Sequence, residues 1–241
     1  MKKLISVATV VVIAIVIIRP TSIAAEETAL ALKRQQRYTV SLALEFRKKN
    51  PNSFERMITF LNQEGPNGFA TGFLVGERLV MTAYHVVSGE LGDSKKRVLG
   101  FSPRDELEVK VYVNGCKATV IKVDREADLA LLETCDRKAA QKPAFQASVE
   151  IDEKITLIAS PHGNTIVSRG IVSGPYPFRG LEYVSAKIEA RDGYSGSPVY
   201  NEKAEVIGVF SGYDWTKQVA LITPGERAQK LLAEYTSEQT K

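Results

Sequence analysis

At 241 residues the chain can bury one substantial core or two small ones. Hydrophobic residues make up 44% and charged residues 25%, an ordinary globular balance that excludes wholesale disorder. Net charge is +4, but Lys2, Lys3 and Arg19 fall in the first 25 residues, which hold no acid. The rest of the 32 Lys and Arg nearly balance the 28 Asp and Glu, so composition makes no case for a nucleic-acid partner or a charged membrane surface.

The chain opens with Lys2 and Lys3, then an apolar run from Leu4 to Ile18 broken only by Ser6 and Thr9, then small residues at Ser22, Ala24 and Ala25. This is the tripartite pattern of a secretory signal, residues 1–25, with cleavage after Ala24 or Ala25. The alternative is a retained anchor. A run from 4 to 18 spans roughly 22 Å as a helix, short of the ~30 Å hydrocarbon layer, and Arg19-Pro20 ends it. On either reading the bulk of the chain is exported, periplasmic or secreted, and it meets a membrane only if that segment is kept.

Residues 26–51 allow two readings. Tyr38, Val40, Leu42, Leu44 and Phe46 alternate as a half-buried strand would, while abundant Ala, Leu, Gln, Lys and Arg favour a helix. Asn50-Pro51-Asn52-Ser53 is a break. The compact domain is expected to start at residue 52, with 26–51 an arm or removable prosegment.

Beyond residue 55 come short apolar runs punctuated by Gly, Asn and Pro: 57–61, 72–75, 78–83, 109–113, 118–123, 129–133, 155–160, 166–174, 197–200, 206–212 and 218–222. Many short strands with turn signals between them predict an all-β sandwich or barrel. Thr223-Pro224-Gly225-Glu226 has the form of a capping box with a helix-starting proline, so one helix follows, ending the domain at 235 before a polar tail, 236–241.

The two cysteines, Cys116 and Cys135, flank a hairpin centred on Arg125–Glu126. That register sets them directly opposite, at a separation that suits a disulfide in an oxidising compartment. Two buried thiols are the alternative. Neither cysteine has metal-site spacing, and no metal or cofactor is expected.

The most specific segment is Gly193-Tyr194-Ser195-Gly196-Ser197-Pro198. Gly193 has no Cβ to block a reacting carbonyl, and the N–H groups of residues 193 and 195 can converge on a developing oxyanion. A glycine-rich turn is the plainer reading. The strand-to-helix elbow of α/β-hydrolases is ruled out, because strand-like residues follow Ser195. A nucleophilic serine needs a base, and the chain has two histidines. His85 ends an apolar strand; His162 sits in a Ser-Pro-His-Gly-Asn turn that explains it without chemistry. Asp128, just before the apolar run 129–133, is the candidate orienting acid, although a turn aspartate often caps its own backbone. The order His85, Asp128, Ser195 belongs to the trypsin-like arrangement.

GFATGFLVGERLVMTAYHVV, DREADLALLE and GYSGSPVYNEKAEVIGV resemble the histidine, aspartate and serine segments of trypsin-like serine proteases, and ITLIASPHGNTIVSRGIVSG resembles the hairpin of their second barrel. The likeness covers residues 55–235. It is closest to bacterial glutamyl endopeptidases and to the high-temperature-requirement proteases of the cell envelope. The resemblance implies two six-stranded antiparallel β-barrels with a C-terminal helix, and hydrolysis of protein or peptide substrates through an acyl-enzyme. Carried over by position, Ser195 is the nucleophile, His85 the general base, Asp128 its orienting acid, and the N–H groups of Gly193 and Ser195 the oxyanion hole. It also implies a primary pocket formed by Ile188, Glu189 and Ala190 with Phe210, Ser211 and Gly212. Glu189 at its base would favour basic side chains. If Glu189 instead alternates outward with Lys187 and Arg191, the pocket is apolar. Tyr194 stands where the family has Asp or Asn, and Phe210 where glutamyl endopeptidases carry a histidine. An inactive binding or scaffolding member of the fold is the alternative to an active enzyme.

Overall fold

The computed structural model describes residues 21–62, 65–135, 143–178 and 180–239. In chain order the elements of the first half are α1 (Thr21–Gln36), β1 (Thr39–Lys48), α2 (Ser53–Asn62), β2 (Gly68–Leu74), β3 (Leu79–Ala83), α3 (Tyr84–Val87), α4 (Asp93–Val98), β4 (Leu107–Val113), β5 (Cys116–Asp124) and β6 (Leu129–Glu133). The second half holds β7 (Lys154–Ala159), a 3₁₀ turn (Pro161–Gly163), β8 (Ile166–Phe178), β9 (Leu181–Lys187), β10 (Pro198–Tyr200), β11 (Val206–Asp214), β12 (Val219–Pro224) and α5 (Gly225–Gln239).

The strands close into two six-stranded barrels, ordered β1-β2-β3-β6-β5-β4 and β10-β11-β12-β9-β8-β7, with every pairing antiparallel. Alternation builds them: one parity of each strand points inward. Val40, Leu42, Leu44, Val80, Val111 and Leu132 fill the first barrel. Leu157, Ala186, Val199, Ile207, Phe210 and Ile222 fill the second. A third apolar cluster, including Phe73, Met81, Leu131 and Tyr200, joins the barrels and receives Leu231 and Leu232 of α5. Burial of these faces is the main stabilising term.

Several elements depart from the sequence reading. The barrel begins before residue 52: β1 lies inside the expected arm and pairs with both β2 and β4, closing the first barrel. Its alternating residues govern, and helix propensity prevails only upstream, in α1. The run 57–61 belongs to helix α2 rather than a strand. Asn52 and Glu55 start that helix by exchanging side chain-to-backbone bonds, each 2.8 Å. Strand β9 was not among the expected runs because its buried positions include Ser185 and its outward ones Glu182 and Lys187. Helix α5 continues to Gln239, into the expected tail, and the Thr223 hydroxyl donates to the Ala127 carbonyl (2.8 Å) instead of serving as the expected cap of the helix. Of the expected signal, residues 1–20 lie outside the described residues and 21–25 open α1.

The structure joins Cys116 to Cys135, with Cα atoms 5.9 Å apart. The register differs from the expected one. β5 and β6 pair Asp124 with Leu129, and a bulge between Val120 and Lys122 shifts the ladder by one residue before the cysteines. Cys116 opens β5 and Cys135 lies just past β6, so the bond closes the end of the hairpin.

Candidate active site

The position of His85 follows from strand pairing. β3 and β6 pair Ala83 with Leu129, so the chain leaving β3 runs beside the residue that enters β6. That residue is Asp128, and it holds the histidine segment at three points. Its carbonyl accepts the Tyr84 N–H (3.0 Å), Oδ1 accepts the His85 N–H (2.8 Å), and Oδ2 meets His85 Nδ1 at 2.8 Å. Asp128 adopts a positive φ of 53°, a conformation Asp tolerates better than most side chains. It is nearly buried, at 13% side-chain exposure, while His85 is 43% exposed toward the cleft. On the other edge of the imidazole, Nε2 lies 2.9 Å from Ser195 Oγ. The three side chains thus form one hydrogen-bonded chain across the two barrels.

The serine loop is held by a residue that sequence reading missed. Thr71, in the first barrel and fully buried, makes four hydrogen bonds. Its N–H donates to the Ser195 carbonyl (3.0 Å) and its hydroxyl to the Gly193 carbonyl (2.9 Å). The same hydroxyl accepts the Ser160 N–H (3.0 Å), and its carbonyl accepts the Thr82 hydroxyl (2.8 Å). Gly196 packs so close here that an added Cβ would collide with the Thr71 carbonyl and Thr82 Oγ1; its φ of +85° also suits glycine. Among the described residues, the N–H groups of Gly193 and Ser195 donate to no other backbone group. Tyr194 is buried among Ile188, Ala190 and Phe210 of the second barrel. Apolar packing therefore supports the loop at the position where the sequence departs from the family pattern.

The other site candidates divide. Ala190, Phe210 and Gly212 line a cleft of about 160 Å³ together with His85, Ser195 and Gly193. Ile188 points into the second barrel core instead. Ser211 is buried, its hydroxyl 2.9 Å from that of Thr223. Glu189 is solvated at 67% side-chain exposure and accepts the Arg191 Nε–H at 3.0 Å, so it is not the floor of the pocket. The alternation of exposed and buried residues continues past the end of β9, so Glu189 and Arg191 face solvent as Lys187 does. His162 lies outside the triad, its ring centroid 3.9 Å from that of Phe69. Among the described residues no group of three or more His, Cys, Asp or Glu is placed to hold a metal ion.

Comparison with known proteins agrees with this geometry. A glutamyl endopeptidase of Staphylococcus aureus (strain MW2) is 28% identical over 168 residues, covering 64% of this chain and 50% of the relative. That of strain MRSA252 is 27% identical over 170 residues, covering 64% and 46%. The chain thus spans about half the length of these relatives. Rv3671c from M. tuberculosis H37Rv, solved as an inactive-form serine-to-alanine mutant, superposes with a TM-score of 0.57 at 16% identity. The match covers 87% of this chain and 91% of that one, and establishes likeness of fold. The profile of the trypsin-like peptidase domain matches residues 70–209, more than half the sequence, and the chain belongs to that family.

Proposed function

We propose that the protein is a serine endopeptidase that acts on protein or peptide substrates outside the cytoplasm. The observation that carries this reading is the continuous chain Asp128–His85–Ser195, with contacts of 2.8 and 2.9 Å on the two edges of one imidazole. In the proposed cycle Ser195 Oγ attacks the scissile carbonyl carbon while its proton passes to His85 Nε2. Asp128 holds Nδ1–H and stabilises the imidazolium. The negative charge on the carbonyl oxygen is met by the N–H groups of Gly193 and Ser195. The C–N bond breaks as His85 returns the proton to the leaving amine. Water, deprotonated by the same histidine, then hydrolyses the ester on Ser195.

The solvated Glu189 and the Ala190, Phe210 and Gly212 walls favour small or medium apolar side chains before the cleaved bond. Export is supported by the signal-like residues 1–25 and by the Cys116–Cys135 bond. A fluorophosphonate probe tests the central claim, since only an activated serine reacts. The folded wild type should label and hydrolyse peptides, and Ser195→Ala should do neither. A folded wild type that stays unlabelled would instead favour the inactive scaffold.

A further inference from the structure

The turn that carries Asp128 is weakly closed by its own backbone. The bond from the Asp128 N–H to the Arg125 carbonyl is long, at 3.4 Å. Asp128 also keeps a left-handed φ of 53°, which a residue with a side chain holds only where its surroundings fix it. The fixing groups come from the far end of the chain, where β12 passes into α5. The buried Thr223 hydroxyl donates to the carbonyl of Ala127, the residue before Asp128, at 2.8 Å. With its hydrogen so committed, Thr223 Oγ1 accepts from the Ser211 hydroxyl at 2.9 Å, which locks the rotamer. Further along, Arg227 Nη2 lies 3.3 and 3.1 Å from the two carboxylate oxygens of Asp124, and Asp124 Oδ1 accepts the Ala127 N–H at 3.0 Å. Both backbone polar groups of Ala127 are thus tied to residues 223–227, one directly and one through Asp124. That junction is itself packed tightly: a Cβ added at Gly225 would stand 2.8 Å from the Val206 carbonyl oxygen.

We propose that Thr223 is a positioning residue for Asp128. By holding the Ala127 carbonyl it sets the peptide plane between Ala127 and Asp128, and with it the direction in which the carboxylate meets His85 Nδ1; Arg227 is a second hold on the same turn. This rests on the peptidase reading above. Neither Thr223 nor Arg227 lines the cleft, so any effect on turnover must pass through the turn. Freed from Thr223, the carbonyl can rotate, and the 2.8 Å contact between Asp128 Oδ2 and His85 Nδ1 loosens.

Two readouts test this. Thr223→Val keeps the shape but removes the hydroxyl; kcat should fall about tenfold with KM within about twofold, and Thr223→Ser should recover most of the loss. Arg227→Gln, at a half-exposed position, should lower kcat about threefold. The second readout does not depend on turnover. The His85 Nδ1 proton, deshielded by its bond to a carboxylate, gives a far-downfield proton NMR resonance that His85→Ala identifies by its loss. It should move upfield or broaden in Thr223→Val and return in Thr223→Ser. If Thr223→Val does not fold, Arg227→Gln decides by the same two readouts. An unmoved resonance in the folded variant, whether kcat is unchanged or lowered, would overturn the positioning role and leave the peptidase intact. A wild type that cleaves nothing, but whose resonance moves in the variant, would keep the positioning role and overturn the peptidase.

Discussion

Asp128 touches the histidine segment with a carbonyl and both carboxylate oxygens, so replacing it separates two jobs. Asp128→Asn keeps the size and one acceptor but favours the wrong imidazole tautomer; turnover should fall by about 10⁴ while the fold survives, as circular dichroism would check. Ser195→Ala and His85→Ala should each cost on the order of 10⁶, and the double variant little more, because the pair acts as a unit. Thr71 makes a sharper test. Thr71→Val keeps the shape but removes the hydroxyl that donates to Gly193 and accepts from Ser160. Leaving buried polar groups unpaired costs about 1–3 kcal/mol each, so kcat should drop roughly tenfold or more, with KM little changed and Thr71→Ser restoring most of it. Equal kcat in Thr71→Val and wild type would show that the loop holds itself. The hydrogen-bonded trio Asp128, His85 and Ser195 was legible as a candidate because its residues occur in an order and local setting that few chemistries share. Thr71 was not, since a threonine in a strand reads as ordinary β-former, and the two partners of its hydroxyl lie 89 and 122 positions away.

At the scale of elements, the turn between β11 and β12, which carries the chain's single tryptophan, Trp215, has its own pH dependence. The Tyr176 hydroxyl, followed by the Lys217 N–H, holds the Asp214 carboxyl below its ordinary value. A depressed carboxyl contributes stability that is complete above its unfolded value of about 3.9 and is lost as pH falls through the lower folded one. Trp215 emission should therefore stay constant from neutral pH down to about 4 and change below it. In Asp214→Asn that acid step should vanish; its persistence would locate the titrating group elsewhere. The Cys116–Cys135 link, across 19 positions, should contribute roughly 3 kcal/mol by restricting the unfolded chain, read as a lower urea midpoint after Cys135→Ser. Element by element, alternation revealed most strands. It fails at α2, where the apolar run 57–61 reads as a strand although Phe54, Met57, Ile58 and Leu61 follow helical spacing behind an Asn52–Glu55 cap. It also fails in placing the cysteines in register, because a bulge is invisible to a symmetric hairpin count.

For the molecule as a whole, β1 decides where the protein can begin. It closes the first barrel against β2 and β4, so residues 26–51 cannot be removed as a unit. A chain starting at Glu26 should fold and label with the fluorophosphonate, while one starting at Asn52 should expose the first barrel core and aggregate or unfold. Recovery of a soluble, reactive protein from the shorter chain would contradict the closure. The two barrels themselves were implied by family likeness rather than by strand pattern, because alternation tells which residues point inward but not which strands are neighbours. The Thr71 contacts carry a consequence for this architecture. On the proposed reading the attacking serine belongs to the second barrel, yet the first supplies its base, its acid and the hydroxyl that shapes its loop. Each half by itself should then be chemically silent, and hydrolytic competence should report that the halves have docked. Two separately produced fragments, divided in the connection between β6 and β7, should be inert apart and regain probe reactivity on mixing, with a concentration dependence that measures how strongly one barrel holds the other.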